Sequence, residues 1–167
     1  VEIGVSSAVQ NVEVSYCYLV ATNFRFQNGS SNVRIINNVF NEVRYQNHFI
    51  DFGSGSNNIV RNNYLVTVCG GSYNSNGCSY FIGGNSTNII TNNMICESML
   101  SGASCGDGGF VFFRSCNAKI FNNIIWSNVN GRTSFDTLAG GNFANNLTYS
   151  AKNKPTNLSG SGNMNDT

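Results

Sequence analysis

Five times along the chain a short apolar stretch runs into a pair of asparagines. The copies are Ile35-Ile36-Asn37-Asn38, Val60-Arg61-Asn62-Asn63, Ile90-Thr91-Asn92-Asn93, Ile120-Phe121-Asn122-Asn123 and Phe143-Ala144-Asn145-Asn146. A large apolar residue follows each pair: Val39, Tyr64, Met94, Ile124 and Leu147. A degenerate sixth copy, residues 11–18, opens the chain. From Tyr16 through Asn37, Asn62, Asn92 and Asn122 to Asn145 the steps are 21, 25, 30, 30 and 23 residues. Self-similarity at such a period marks a repeat architecture, each copy being one unit that buries its apolar face against its neighbours.

Within each copy the residues alternate with the period of a strand. Val14, Ile35, Val60, Ile90, Ile120 and Phe143 fall at inward positions, and Glu13, Arg34, Ile59, Ile89, Lys119 and Asn142 at outward ones. The alternation continued by one step predicts that the first asparagine of each pair, Asn37, Asn62, Asn92, Asn122 and Asn145, points inward at a bend. Stacked at the 4.7–4.9 Å spacing of paired strands, carboxamides can bond to one another, because each carries an acceptor and two donors. Asparagine also tolerates the left-handed backbone of a tight bend.

A second apolar run precedes each asparagine run by eight or nine residues: Ile3 to Val5, Phe24 to Phe26, Ile50 to Phe52, Tyr80 to Ile82, Phe110 to Phe113 and, more weakly, Phe135 to Leu138. Glycine, serine and asparagine lie between the two runs, as in 28–31, 53–56 and 83–86, and are corner residues. Two or three short strands per turn with polar corners make one coil of a solenoid. Six coils are expected, with no stretch of helical period.

The runs NVRIINNVF, NNIVRNNYL, TNIITNNMI and NAKIFNNII resemble the repeats of right-handed parallel β-helix proteins, the pectate-lyase-like superfamily. The resemblance covers nearly the whole chain. It implies an all-β, right-handed parallel β-helix of about six coils with an internal asparagine ladder. That family holds polysaccharide lyases and glycoside hydrolases as well as tailspikes, adhesins and other non-catalytic surface proteins. It therefore implies a fold without choosing an activity.

Composition narrows the choice. One domain over 1–167 is expected, as a segment of a longer chain or of a stacked assembly. Charged residues are only 10% of the chain, nine basic against eight acidic, for a net charge of +1. Nucleic-acid binding needs a basic face, so it is not expected. No apolar run is long enough to insert in a membrane. Proline occurs once, at Pro155, which suits strand ladders that use every N–H. Five Asn-X-Ser/Thr sequons equal about the number that chance gives for this composition, so they identify no host.

Six cysteines point to an oxidising compartment, extracellular or at the cell surface. Cys69 to Cys78 and Cys96 to Cys105 share one spacing and fall in the two longest coils, which predicts a disulfide across each loop. Cys17 and Cys116 lie about four coils, roughly 19 Å, apart and cannot pair. No CxxC or Cys/His cluster is present, so neither a metal nor a cofactor is expected.

Catalytic chemistry has few candidates. The outward positions of the first strand are expected to run Gly4, Arg25, Asp51, Phe81, Val111 and Asp136, making Arg25 and Asp51 adjacent rungs. His48 lies just before Asp51. A surface ion pair explains Arg25 and Asp51 better than an acid–base pair does. No catalytic motif of the family matches residue by residue, so none is carried over. Tyr73, Tyr80 and Trp126 are candidate stacking platforms for sugar rings, with Tyr149 beside them. No outward row of threonines exists, which argues against ice binding. The expected function is an extracellular surface, fibre or adhesin-like module, non-catalytic as it stands, with polysaccharide as a candidate ligand. The alternative is a fragment of a polysaccharide lyase or glycoside hydrolase. The terminal segments, Val1 to Val5 and Asn157 to Thr167, are expected to stack end to end on further subunits or coils, because open strand edges template more strands.

Overall fold

The computed structural model of the chain describes residues 2–3, 7–20, 24–26, 29–43, 48–69, 78–82, 85–99, 110–114, 117–127, 133–136, 143–150, 162 and 164–166. The described residues are all-β. The strands come in threes along the chain. The first repeat holds β1 (Glu2–Ile3), β2 (Glu13–Ser15) and β3 (Tyr18–Val20). The second holds β4 (Phe24–Phe26), β5 (Arg34–Ile36) and β6 (Val39–Val43), and the third β7 (His48–Asp51), β8 (Ile59–Arg61) and β9 (Tyr64–Cys69). The fourth holds β10 (Cys78–Ile82), β11 (Ile89–Thr91) and β12 (Met94–Met99), and the fifth β13 (Phe110–Arg114), β14 (Lys119–Phe121) and β15 (Ile124–Ser127). β16 (Thr133–Asp136), β17 (Phe143–Ala144), β18 (Leu147–Ser150) and β19 (Met164–Asp166) close the series.

From β1 to β18 each strand pairs in parallel with the strand three further along, and β19 adds to β18. The result is three sheets: β1-β4-β7-β10-β13-β16, β2-β5-β8-β11-β14-β17, and β3-β6-β9-β12-β15-β18-β19. This connectivity is compatible with a parallel β-helix, as the sequence implied.

The inward column of the second sheet is as the alternation predicted. Val14, Ile35, Val60, Ile90, Ile120 and Phe143 are register partners in that order, and all but the half-buried Val14 are fully buried. In the third sheet Leu19, Phe40, Leu65, Ile95, Ile125 and Thr148 form the matching column. Ile50 and Phe52 bring the first sheet into the same apolar cluster. Complete burial of each such side chain stabilises by about 1.5–3 kcal/mol, so the stacked interior outweighs any surface pair.

The asparagine ladder exists, but one residue later than expected. Asn38, Asn63, Asn93, Asn123 and Asn146 are the buried ones, whereas Asn62, Asn92, Asn122 and Asn145 are exposed and Asn37 is half-buried. The cause is the backbone at the bend. Asn37, Asn62, Asn92, Asn122 and Asn145 all have φ between 54° and 58°, in the left-handed region. A left-handed residue breaks the strand alternation, so its own side chain is turned out and its successor is turned in.

The inner amides leave little unsatisfied. Asn38 Nδ2 donates to Asn63 Oδ1 at 3.1 Å, Asn63 to Asn93 at 3.0 Å, Asn93 to Asn123 at 3.0 Å and Asn123 to Asn146 at 2.9 Å. Each Nδ2 donates its other proton to a carbonyl of the preceding repeat, as Asn93 does to Val60 O at 3.0 Å. Each Oδ1 also accepts a backbone N–H; Asn63 N reaches Asn93 Oδ1 at 3.0 Å. The sequon at Asn146 is therefore part of the interior.

A second internal ladder stands at the other end of the same strands. Val33 N donates to Asn58 Oδ1 at 2.9 Å and Asn58 N to Asn88 Oδ1 at 3.0 Å, while Asn58 Nδ2 reaches Ser30 O at 3.2 Å and Asn88 Nδ2 reaches Gly55 O at 3.0 Å. Both asparagines are fully buried. The sequence signal was Asn58 before Ile59 and Asn88 before Ile89, at the same offset from each strand.

Candidate functional site

Three outer faces carry chemistry, one per sheet. On the first sheet, Glu2, Arg25, Asp51, Ile82, Arg114 and Asp136 are register partners in that order. They occupy the positions next to the column of Phe24, Ile50, Phe81, Phe113 and Phe135, of which Ile50 is fully buried. Strand alternation puts the charged positions on the outer face. Arg25, Asp51 and Asp136 therefore share a column, as the sequence suggested. Phe81 and Val111 do not belong to it, and Gly4 lies outside the described residues. Phe81 pairs with Ile50 instead, and a slip of one residue exchanges the faces.

This column alternates in sign wherever it is charged. His48 pairs in register with Ser79 and shares the parity of Ile50, so its position lies on the opposite face from Asp51. Arg25 and Asp51 thus occupy neighbouring positions, and His48 does not share their face.

On the second sheet, Arg34 Nε and Glu13 Oε2 form an ion pair at 3.3 Å, each side chain 48% exposed. A shallow groove of about 400 Å3 lies around this pair.

The third sheet differs from both. Tyr18, Val39, Tyr64, Met94, Ile124, Leu147 and Met164 form one register column along all seven strands. Tyr18 is 65% exposed, Met164 63%, and Tyr64, Met94 and Ile124 between 41% and 45%. At the strand spacing, seven strands make a line about 29 Å long. Beside it Val66, Cys96, Trp126 and Tyr149 are register partners on the same face. Soluble proteins rarely line up large apolar groups in water without a use for them. The Asn41 Nδ2 donates to the Tyr18 hydroxyl at 2.9 Å, which fixes that ring at one end of the row.

Tyr64 and Cys96 share a side-chain hydrogen bond. Burial pushes the Cys96 thiol above its ordinary value, against a smaller opposite effect of Tyr64. The Tyr64 hydroxyl is raised as well, by burial first and by the charge of Cys96 second. A neutral, poorly reactive thiol is the consequence. Cys96 is a free thiol in a buried setting, so the expected link from Cys96 to Cys105 finds no support among the described residues. The side chains of Cys69 and Cys78, and Cys105 altogether, lie outside the described residues, so the other expected link does too. Cys17 is free and exposed.

Of the expected sugar platforms, Trp126 is half-buried on the third sheet next to Tyr149. The position of Tyr80 is on the outer face of the first sheet, so Tyr80 and Trp126 are not brought together. Tyr73 lies outside the described residues. The sequence reading missed Tyr18 and Tyr64. Their signal was the apolar residue directly after each asparagine pair, whose outward direction depends on the bend.

Among the described residues there is no group of three or more His, Cys, Asp and Glu side chains that could hold a metal, and no helix long and apolar enough to cross a membrane. Comparison of the chain with protein-family models, with curated protein sequences and with solved structures gives no match.

Proposed function

We propose that the chain is a right-handed parallel β-helix of the pectate-lyase-like superfamily, acting outside the cell as a non-catalytic surface or fibre module that binds glycan. The third-sheet column from Tyr18 to Met164 carries this reading. It is long and apolar, with aromatic rings at Tyr18 and Tyr64 and, in the column beside it, at Trp126 and Tyr149. A polysaccharide is an extended ligand with apolar C–H faces and polar edges, and such a row matches it over several sugar units. Right-handed winding is supported by the general preference for right-handed crossovers between parallel strands.

The second reading is a fragment of a polysaccharide lyase or glycoside hydrolase, and the neighbouring positions of Arg25 and Asp51 favour it. Glycosidase carboxyls stand about 5–9.5 Å apart with the sugar or a water between them. Glu2 and Asp51 are two strands apart, about 9.5 Å, with the Arg25 position on the strand between them. Asp51 and Asp136 are three strands apart, about 14 Å, which is too wide. The charged column therefore supports the non-catalytic reading.

Co-sedimentation with insoluble polysaccharides tests the proposal. The wild type should pellet with at least one of cellulose, chitin, xylan and calcium pectate, and Tyr64→Ser with Tyr149→Ser should leave it in the supernatant. Retention unaffected by these substitutions, or no retention on any of the four, overturns the reading.

A further inference from the structure

The groove on the second sheet has a chemistry of its own. Asn11, Asn32 and Asn57 form its rim, with φ of 58°, 55° and 56°. As at the other bend, a left-handed backbone turns these amides toward solvent, and all three residues are exposed. Asn32 Nδ2 donates to Asn11 Oδ1 at 3.3 Å. The Nδ2 of Asn11 and the Oδ1 of Asn32 have no partner among the described residues. Glu13 and Arg34 open β2 and β5 beside the rim, paired with each other. Val12 and Ile59 add an apolar surface.

We propose that this groove is a saccharide subsite selective for neutral sugars. Each sugar hydroxyl both donates and accepts, and so does each carboxamide, so the rim can pair with a run of hydroxyls. The forked guanidinium of Arg34 and the carboxylate of Glu13 offer a donor and an acceptor side by side, suited to two adjacent hydroxyls. Val12 and Ile59 suit the C–H face of a ring. The lining carries one positive and one negative charge, so it has no net attraction for an anion. The Glu13 carboxylate would repel a uronate placed against it, and that repulsion sets the selectivity. This rests on the glycan-binding reading above and names the ligand class of a second place on the molecule, about one sheet away from the aromatic row.

The test is an NMR titration of the 15N-labelled chain with cellohexaose, xylohexaose, mannohexaose and oligogalacturonate. A neutral oligosaccharide should shift the side-chain amide signals of Asn11 and Asn32, and oligogalacturonate should not. Arg34→Ala and Glu13→Gln should each weaken the neutral ligand about tenfold or more, as loss of a hydrogen bond to a charged group does. Tyr64→Ser should leave the groove shifts unchanged. Oligogalacturonate shifting the groove amides as strongly overturns the selectivity. Shifts confined to the third sheet, or none with any of the four, remove the subsite. In the first of these cases the aromatic row stands as the glycan site; in the second, failed co-sedimentation would remove it as well.

Discussion

Asn63 Nδ2 donates to Asn93 Oδ1 at 3.0 Å inside the stack, while Asn62, its neighbour in sequence, stands exposed and bonds Asn37 at 3.2 Å on the outside. Two asparagines, adjacent and chemically identical, thus do different work because the first is left-handed and the second is not. Substitution separates them. Asn93→Ala removes the acceptor of Asn63 N and Asn63 Nδ2 and should destabilise by about 2–4 kcal/mol. Asn92→Gly keeps the φ of 54° without strain and should lie within about 0.5 kcal/mol of wild type. Denaturant midpoints decide the matter, and equal midpoints would remove the inner ladder from the account.

Tyr16 occupies the first-asparagine position of the first repeat with φ 55° and is 83% exposed. A side chain with no local hydrogen bond to offer costs about 1–2 kcal/mol in that conformation. Tyr16→Asn should raise stability by about 0.5–1 kcal/mol, relieving strain while disturbing no buried contact. A lowered unfolding temperature would show that the tyrosine contributes something the backbone argument omits.

The two described thiols should behave oppositely. Cys17 is exposed and should react with a thiol reagent in the native state, whereas Cys96 should react only after unfolding. The same burial makes stability depend on pH. The folded-state pKa of Cys96 is raised above the ordinary 9.0, so its contribution is complete below that value and is lost as pH rises through the folded pKa. Tyr64 is raised above 10.0 and adds a loss of the same sign at higher pH. Stability measured from pH 8 to 11 should fall in wild type, and Cys96→Ala should flatten the earlier part of the slope. An unchanged slope would place the titrating group elsewhere.

Much of the fold was legible in sequence because repetition supplies several readings of each position. The inward column from Val14 to Phe143 follows from alternation alone, since six copies agree. The inner and outer asparagines were exchanged because alternation was carried through a bend that breaks it, and a pair of identical residues offers no contrast to reveal the break. Phe81 was misplaced by a single residue for a related reason: Phe110 to Phe113 is apolar at every position, so pattern cannot say which residues face in. The pairing of Phe113 with Phe81 and of Arg114 with Ile82 fixes it. The aromatic row depended on the same bend. Once Asn38, Asn63 and their counterparts face inward, Tyr64, Met94 and Ile124 must face out.

Trp126, the single tryptophan of the chain, reports on the proposed glycan-binding face without any label. Titration of its fluorescence with the polysaccharide that retains the protein, with released sugar ends assayed in the same samples, is the most direct measurement. The account predicts a saturable blue shift as a sugar face displaces water from Trp126 and Tyr149, and no released ends. Released ends with an unchanged emission would contradict it and establish the enzyme reading in its place.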